Sequence, residues 1–422
     1  MKIKKIGIKN FKGFSDETFE LNERMTVFIG ENAKGKTSIL DAIAIAAGSF
    51  LRGIDVAKQA ARGIYRNEIR MATIEGQPRP QFPVEITAYG IVNNKKMQNG
   101  WQRSLEKITP KTTTTFVKAK NIEYEAEKML KESRENGQVT FPVIAYHGTG
   151  RLWAEHEEKK AVYSKQGEGV AAAYINCLSP KSSSKEFLSW YKTFEDEVRK
   201  FDEERDKLFL ETFNQCILSM IPDMHWQEMA YSFKDDDLIG IFKTSEGNNE
   251  KLLFSQLSDG YRNVIGMVAD IAYRCIKLNP HLGKDVIKKT PGIVLIDEID
   301  LHLHPNWQRR IVNDLKHAFP AVQFVATTHS PFIVQSLKSD EVWNLDKQMD
   351  VAPDQLKIDS VATEIMGVPD PYSQANSELY NQSKQFLTNL EAGKPENELQ
   401  KQLKEIADPG VRAFMELNKL AK

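Results

Sequence analysis

The chain has 422 residues, 41% hydrophobic and 27% charged, with a net charge of −1, which suits one large domain or two lobes of an ordinary soluble globular protein. The near-neutral balance argues against a bulk polyanion binder, no apolar run reaches the ~18 residues of a membrane span, and Met1-Lys-Ile-Lys-Lys-Ile-Gly-Ile8 lacks the apolar stretch of a signal peptide. Cys177, Cys216 and Cys275 are widely spaced and form no metal-type pair, so a reducing, cytoplasmic setting is expected.

Residues 1 to 29 read as two strands around a turn. Ile6 and Ile8 alternate with polar neighbours, and Met25 to Ile29 is a short apolar run ending at Gly30. A helix is predicted from about Lys36, burying Ile39, Leu40, Ile43, Ala46 and Ala47. A strand is predicted at Val84 to Ile91. Between 95 and 120, seven basic side chains (Lys95, Lys96, Arg103, Lys107, Lys111, Lys118, Lys120) face one acid, Glu106. This segment, which also holds Trp101 and Phe116, reads either as a phosphate-neutralising DNA contact or as a lysine-rich edge strand that resists aggregation. A charged, solvated helix is expected over 121 to 136, and a strand over Phe141 to Tyr146. Residues 185 to 221 form a long helical stretch carrying Phe187, Trp190, Tyr191, Phe194 and Phe201.

Strands return around 231 to 243. An apolar helix (264 to 278), a strand (293 to 296), a helix (306 to 318) and a strand (322 to 327) follow, an alternation that predicts an α/β sheet wound with helices. The tail, 373 to 421, reads as two amphipathic helices broken near Asp408-Pro-Gly410. Leu399, Leu403 and Ile406 share one helical face, and Val411, Phe414, Met415 and Leu417 give a second stripe. These stripes either pack on the core or dock a partner. The expected organisation is an N-terminal lobe (1–150), a helical insertion with return strands (151–250), a C-terminal lobe (251–345) and a helical tail (346–422).

Four motifs carry chemistry. Gly30-Glu31-Asn32-Ala33-Lys34-Gly35-Lys36-Thr37, followed by Ser38, matches G-x-x-x-x-G-K-[ST] between a strand and a helix. Its glycines let backbone N–H groups face phosphate oxygens, Lys36 supplies charge to the β- and γ-phosphates, and the Thr37 hydroxyl can ligate Mg²⁺. A chance match in a glycine-rich turn is the alternative, disfavoured by the flanking elements. In Ile293-Val-Leu-Ile-Asp297-Glu298 a buried strand delivers two carboxylates at its C-terminal end, where open α/β sheets bind ligands. Asp297 would hold Mg²⁺ and Glu298 would act as general base on the attacking water.

Leu257-Ser258-Asp259-Gly260-Tyr261 lies about forty residues earlier, directly before the apolar helix. It resembles the L-S-G-G-Q signature loop of ABC ATPases, with Asp259 for the first Gly and Tyr261 for Gln. Ser258, the Gly260 backbone and the helix N-terminus would make an anion site for the nucleotide of a second copy; a plain N-capped helix is the alternative. Thr327-Thr328-His329-Ser330 follows a strand about thirty residues beyond Glu298, where a His contacts the γ-phosphate in ABC ATPases. His302 and His304 could face one way on an extended segment, but no third metal ligand is apparent. Their segment looks like the loop that crosses to a partner head.

Together with Lys9-Asn-Phe-Lys-Gly-Phe14, these motifs resemble the SMC/RecF-like branch of ABC ATPases. Ala145 to Trp153, Tyr174 to Ser183 and Glu298 to Arg309 narrow the resemblance to a compact bacterial group from defence operons, the Septu ATPase subunits (PtuA) and their retron-associated relatives. The match covers nearly the whole chain. It implies an α/β, ABC-type P-loop ATPase head with mixed sheets, a helical insertion and a C-terminal helical tail. ATP and Mg²⁺ would be sandwiched between two copies in a head-to-head dimer. Lys12 would approach the nucleotide, Glu298, His329 and Lys36 would be catalytic, and the partner would be a separate HNH-type nuclease. A RecF-like DNA-binding ATPase of repair is the competing function, and a transporter subunit a weaker one. Departures are Ala33 in place of a Gly, a Q-loop Gln that Gln102, Gln138 or Gln166 could supply, no long coiled-coil arm, and too little sequence after Leu345 for a nuclease domain.

Overall fold

The computed structural model describes all residues except 109–113, 153–169, 181–184, 202, 222–225, 244–245, 350, 370–373, 407 and 421–422. The chain divides into two compact units, Met1–Leu356 and Lys357–Lys422. Lys111, Gln166, Trp153 and 181–183, singled out in the sequence, lie outside the described residues.

The first unit opens with three strands, β1 (Lys2–Phe11), β2 (Phe14–Glu20) and β3 (Met25–Ile29), where two were expected. β2 escapes detection because it is almost wholly exposed and reads as polar. Helix α1 (Lys36–Leu51) precedes β4 (Met71–Ile74), β5 (Gln77–Pro80), β6 (Val84–Val92), β7 (Lys95–Lys96), β8 (Trp101–Leu105), α2 (Lys120–Asn136) and β9 (Val143–His147). The long helical stretch is two helices, α3 (Lys185–Phe201) and α4 (Glu204–Ser219). Beyond them come β10 (Trp226–Ser232), β11 (Asp237–Lys243), β12 (Asn249–Leu253) and α5 (Asp259–Leu278). The last part runs α6 (Val286–Lys289), β13 (Gly292–Ile296), α7 (Pro305–Gln308), α8 (Ile311–Ala318), β14 (Val322–Thr327), α9 (Pro331–Val334) and β15 (Val342–Asn344).

Two five-stranded sheets organise this unit. One is antiparallel, ordered β2-β1-β6-β7 with β8 also on β6; the other is ordered β15-β3-β14-β13-β9, and every pairing in it is parallel. The inner strands β3, β14 and β13, and the end strand β9, are buried along their whole length, as strands covered on both faces are. The fully buried Gln323 on β14 ties the two sheets together. Its amide accepts from the Ile3 N–H at 2.9 Å and donates to the Ile3 and Asn22 carbonyls at 2.7 and 2.8 Å. α1 is apolar on nearly every side and buried almost throughout, which is how a helix enclosed between layers reads.

α2 is not simply solvated. Ile122, Ala126 and Met129, spaced four and three apart, are completely buried, and a Cβ on Gly53 would lie 2.2 Å from the Glu123 carbonyl, so the end of α1 presses on this helix. The basic segment is split in its surroundings: Lys96, Lys107, Lys118 and Lys120 are exposed, while two members are engaged. Lys95 is paired with Glu125 at 2.9 Å, and Arg103 is wholly buried with its guanidinium 3.9 Å from the Phe116 ring centre. Lys95 and Lys96 make up the sheet-end strand β7, which matches the edge-protection reading.

The second unit contains α10 (Ile358–Ser360), α11 (Gln374–Glu391), α12 (Glu396–Glu405) and α13 (Pro409–Leu420), so the tail has three substantial helices rather than two. Phe386 of α11 packs with Leu399, Leu403, Ile406 and Met415 in a core of its own. The stripe expected on α13 is split: Met415 is buried, while Phe414 and Leu417 are exposed.

Candidate nucleotide site

Five parallel strands end on one edge, and each end delivers a polar group. β3 runs into Gly30, β13 into Asp297 and Glu298, β14 into Thr327 and Thr328, β9 into His147, and β15 into Leu345 and Asp346. Between β3 and α1 the backbone takes positive φ at Gly30 (149°), Ala33 (68°) and Gly35 (94°). Ala33 accepts a left-handed conformation at a cost of about 1–2 kcal/mol, which a Gly would avoid. Gly35 has a further reason to be Gly, since a Cβ there would lie 2.6 Å from the Phe14 ring.

The Lys36 ammonium donates to the Gly30 and Glu31 carbonyls at 2.7 and 2.9 Å, inside its own loop. Burial depresses its pKa, against the fields of Asp346, Asp297, Glu298 and Asp300. A buried ammonium held by loop carbonyls can exchange them for the oxygens of an incoming phosphate.

Thr37 and Asp297 meet across 260 residues of sequence. The Thr37 hydroxyl lies 2.9 and 3.2 Å from the two Asp297 carboxylate oxygens. Thr327 donates to the same carboxylate at 2.6 Å, and accepts from the Glu298 N–H at 2.8 Å. Asp297 is further fixed by its own N–H, which donates to the His147 carbonyl at 2.8 Å. Glu298 takes φ 48°, a left-handed non-glycine conformation of the kind that concentrates at functional sites. A hydroxyl and a carboxylate within one hydrogen bond are hard oxygen donors that fit Mg²⁺ bound jointly with substrate phosphates. His329 is exposed, and Asp300 anchors its loop by accepting from Thr328 Oγ1 at 2.6 Å and from the His329 N–H at 3.4 Å.

Lys12 sits at the end of β1, where its ammonium is bound by Asp41, one turn beyond Thr37 on α1, and lies 3.4 Å from Glu68. Arg62 pairs with both carboxylates. Asp41, Glu68 and Arg62 carry no local motif and were not legible as part of this corner. Of the Q-loop candidates, Gln102 lies within β8 and Gln138 just before β9.

The signature segment is built elsewhere. Ser258 is the N-cap residue of α5 with extended backbone, but its hydroxyl makes no capping bond. A Cβ on Gly260 would lie 2.5 Å from the His302 carbonyl, so this loop abuts the segment after Glu298. Asn263 Nδ2 donates to the Leu301 carbonyl at 2.7 Å, and the Tyr261 and Trp307 rings meet edge-on at 4.5 Å. Asp259 pairs with Arg262. His302 holds a left-handed turn (φ 61°), and His304 Nδ1 accepts from the Asn306 N–H at 3.3 Å, capping α7. Thus Gly30 to Ser38, Asp297, Glu298 and the 327–330 loop share one edge, while Ser258 and Gly260 sit against 301–307.

A family model described as an AAA domain matches residues 5–217, and one described as "AAA domain, putative AbiEii toxin, Type IV TA system" matches 179–335. The chain is 28% identical over 389 residues to "Retron Vc95 probable ATPase" of Vibrio cholerae serotype O1 biovar El Tor, covering 81% of this chain and 73% of the relative. It is 26% identical over 410 residues to "Retron Ec83 probable ATPase" of Escherichia coli, covering 82% and 71%. "Septu protein PtuA" of Bacillus mycoides is 27% identical over 346 residues, covering 81% of this chain and 40% of that protein. With half of its length matched by the first family model, the chain belongs to the AAA-domain family and is an ATPase.

Proposed function

We propose that the chain is the ATPase subunit of an antiphage defence complex in which two heads sandwich ATP and control a partner HNH-type nuclease. The observation that carries the chemistry is the convergence of Thr37, Asp297, Thr327 and Glu298 beside the buried Lys36. Backbone N–H groups of Gly30 to Ser38 and the N-terminus of α1 receive the phosphates, and Lys36 exchanges its loop carbonyls for phosphate oxygens. Thr37 and Asp297 would hold Mg²⁺, which neutralises phosphate charge. Glu298 orients the attacking water and takes its proton, and His329 contacts the γ-phosphate from the neighbouring loop. Ser258 and Gly260 of a second copy close the site from the opposite side. The names of the relatives support the defence setting; the nuclease partner rests on the family resemblance of the sequence motifs. The competing DNA-repair reading is weakened only at Lys95 and Arg103, which an ion pair and burial take up, while Lys96, Lys107, Lys118 and Lys120 stay exposed.

The test is Glu298→Gln with ATP, followed by sizing in solution. The proposal expects ATP to be retained, turnover to collapse and a dimer to accumulate. Turnover at the wild-type rate would remove Glu298 from the chemistry, and a monomer throughout would remove the sandwich.

A further inference from the structure

The residue after β15 has no role in the motifs, yet it reaches the phosphate loop. Leu345 N–H donates to the Ile29 carbonyl at 3.0 Å, which carries the β15–β3 pairing one residue past the strand. Asn344 Oδ1 then accepts from the Asp346 N–H at 2.9 Å and from the Lys347 N–H at 3.4 Å, turning the chain and aiming Asp346 at the loop. The Asp346 carboxylate accepts from the Glu31 N–H at 2.7 Å and pairs with Lys34 at 3.0 Å. A Cβ on Gly30 would lie 3.1 Å from Asp346 Oδ2, so the approach depends on a glycine at the first loop position as well as on the Asp.

We propose that Asp346 is a positioning residue for ATP binding: its carboxylate braces the first turn of the phosphate loop through the Glu31 N–H and holds Lys34 to one side. This rests on the loop from Gly30 to Ser38 being the nucleotide site. A loop of positive-φ residues has many alternatives when free, and fixing its first turn from the neighbouring strand lowers the ordering cost when phosphate binds. The carboxylate also stays ionised. Partial burial opposes this, but the Lys34 and Glu31 hydrogen bonds and the Lys34 and Lys36 charges outweigh it and hold the pKa below the ordinary value. A negative charge beside a phosphate cradle is unfavourable unless it is neutralised, and Lys34 does that. The brace therefore acts on ground state and transition state alike, which separates it from Glu298.

The experiment compares Asp346→Ala, Asp346→Asn and Lys36→Ala in the full chain, using a fluorescent ATP analogue for affinity and steady-state turnover for kcat and KM. Asp346→Ala is expected to raise Kd and KM by about tenfold with kcat within about twofold, as for loss of one charged hydrogen bond used equally in both states. Asp346→Asn should recover most of that affinity, because its amide oxygen still accepts from Glu31 while the charge beside the phosphates is gone. Asp346→Leu, similar in bulk with no acceptor, repeats the test if the alanine variant does not fold. Wild-type affinity in Asp346→Ala or Asp346→Leu, or equal losses in the alanine and asparagine variants, overturns the brace. If Lys36→Ala also binds like wild type, the nucleotide site itself is misplaced. If Lys36→Ala weakens binding and Asp346→Ala does not, only the brace fails.

Discussion

The phosphate loop and the signature loop both place small residues before a helix N-terminus, yet their surroundings differ. Around the phosphate loop the polar groups are already paired: Lys36 with loop carbonyls, Thr37 with Asp297, Asp297 with Thr327, Glu31 and Lys34 with Asp346. At the signature loop the Ser258 hydroxyl does not cap its own helix, although Ser is a favoured capping residue. The rest of that loop is held firmly by Leu301, His302 and Trp307. Under the proposed function, this loop would supply the second half of a composite site from another copy.

The largest expected effect comes from breaking that contrast at its outer half. Ser258→Arg should leave single-site ATP binding near wild type and abolish hydrolysis, by putting bulk where the partner's γ-phosphate docks; turnover in this variant would show that each head works alone. Next, Glu298→Gln should lower kcat by about 10²–10⁴-fold, the usual share of a general base, with ATP affinity preserved in equilibrium binding. Lys36→Ala should do the reverse, losing nucleotide affinity because the phosphates lose their point charge. The smallest effect on nucleotide belongs to the second unit. Leu403→Ala should destabilise that unit by about 2–5 kcal/mol, as for a large-to-small change in a small core, while ATP affinity stays within about twofold. Limited proteolysis beside a binding titration would detect both. Removal of 357–422 should likewise spare binding and, if the proposed assembly holds, weaken association with the proposed nuclease partner or between copies, a loss that light scattering would measure.

The site was legible where chemistry demands fixed local spacing. The loop from Gly30 to Thr37 and the Asp297–Glu298 pair are contiguous, so strand, turn and helix signals frame them directly. Groups assembled by the sheet were not legible. His147 and Asp346 join the site because β9 flanks β13 and β15 flanks β3, and no spacing rule encodes that order; Thr327 lay in the 327–330 motif, but its bond to Asp297 depends on β14 pairing with β13. The Lys12–Asp41–Arg62–Glu68 cluster is similarly tertiary. Among the secondary elements, exposed polar strands such as β2 and β12 lack a clear alternation. The extra tail helix had a different cause: the sequence carried the apolar faces of α12 and α13, and within their own unit these meet α11.

The most direct test of the shared site mixes two inactive proteins, Lys36→Ala and Ser258→Arg, at equal concentration and measures ATP turnover. Each mixed dimer joins the intact phosphate loop of one copy to the intact signature loop of the other, and concentrates both defects in its second site. For a symmetric pairing of like surfaces the account predicts recovery of about a quarter of wild-type turnover. Turnover no greater than the sum of the two proteins measured separately would contradict it.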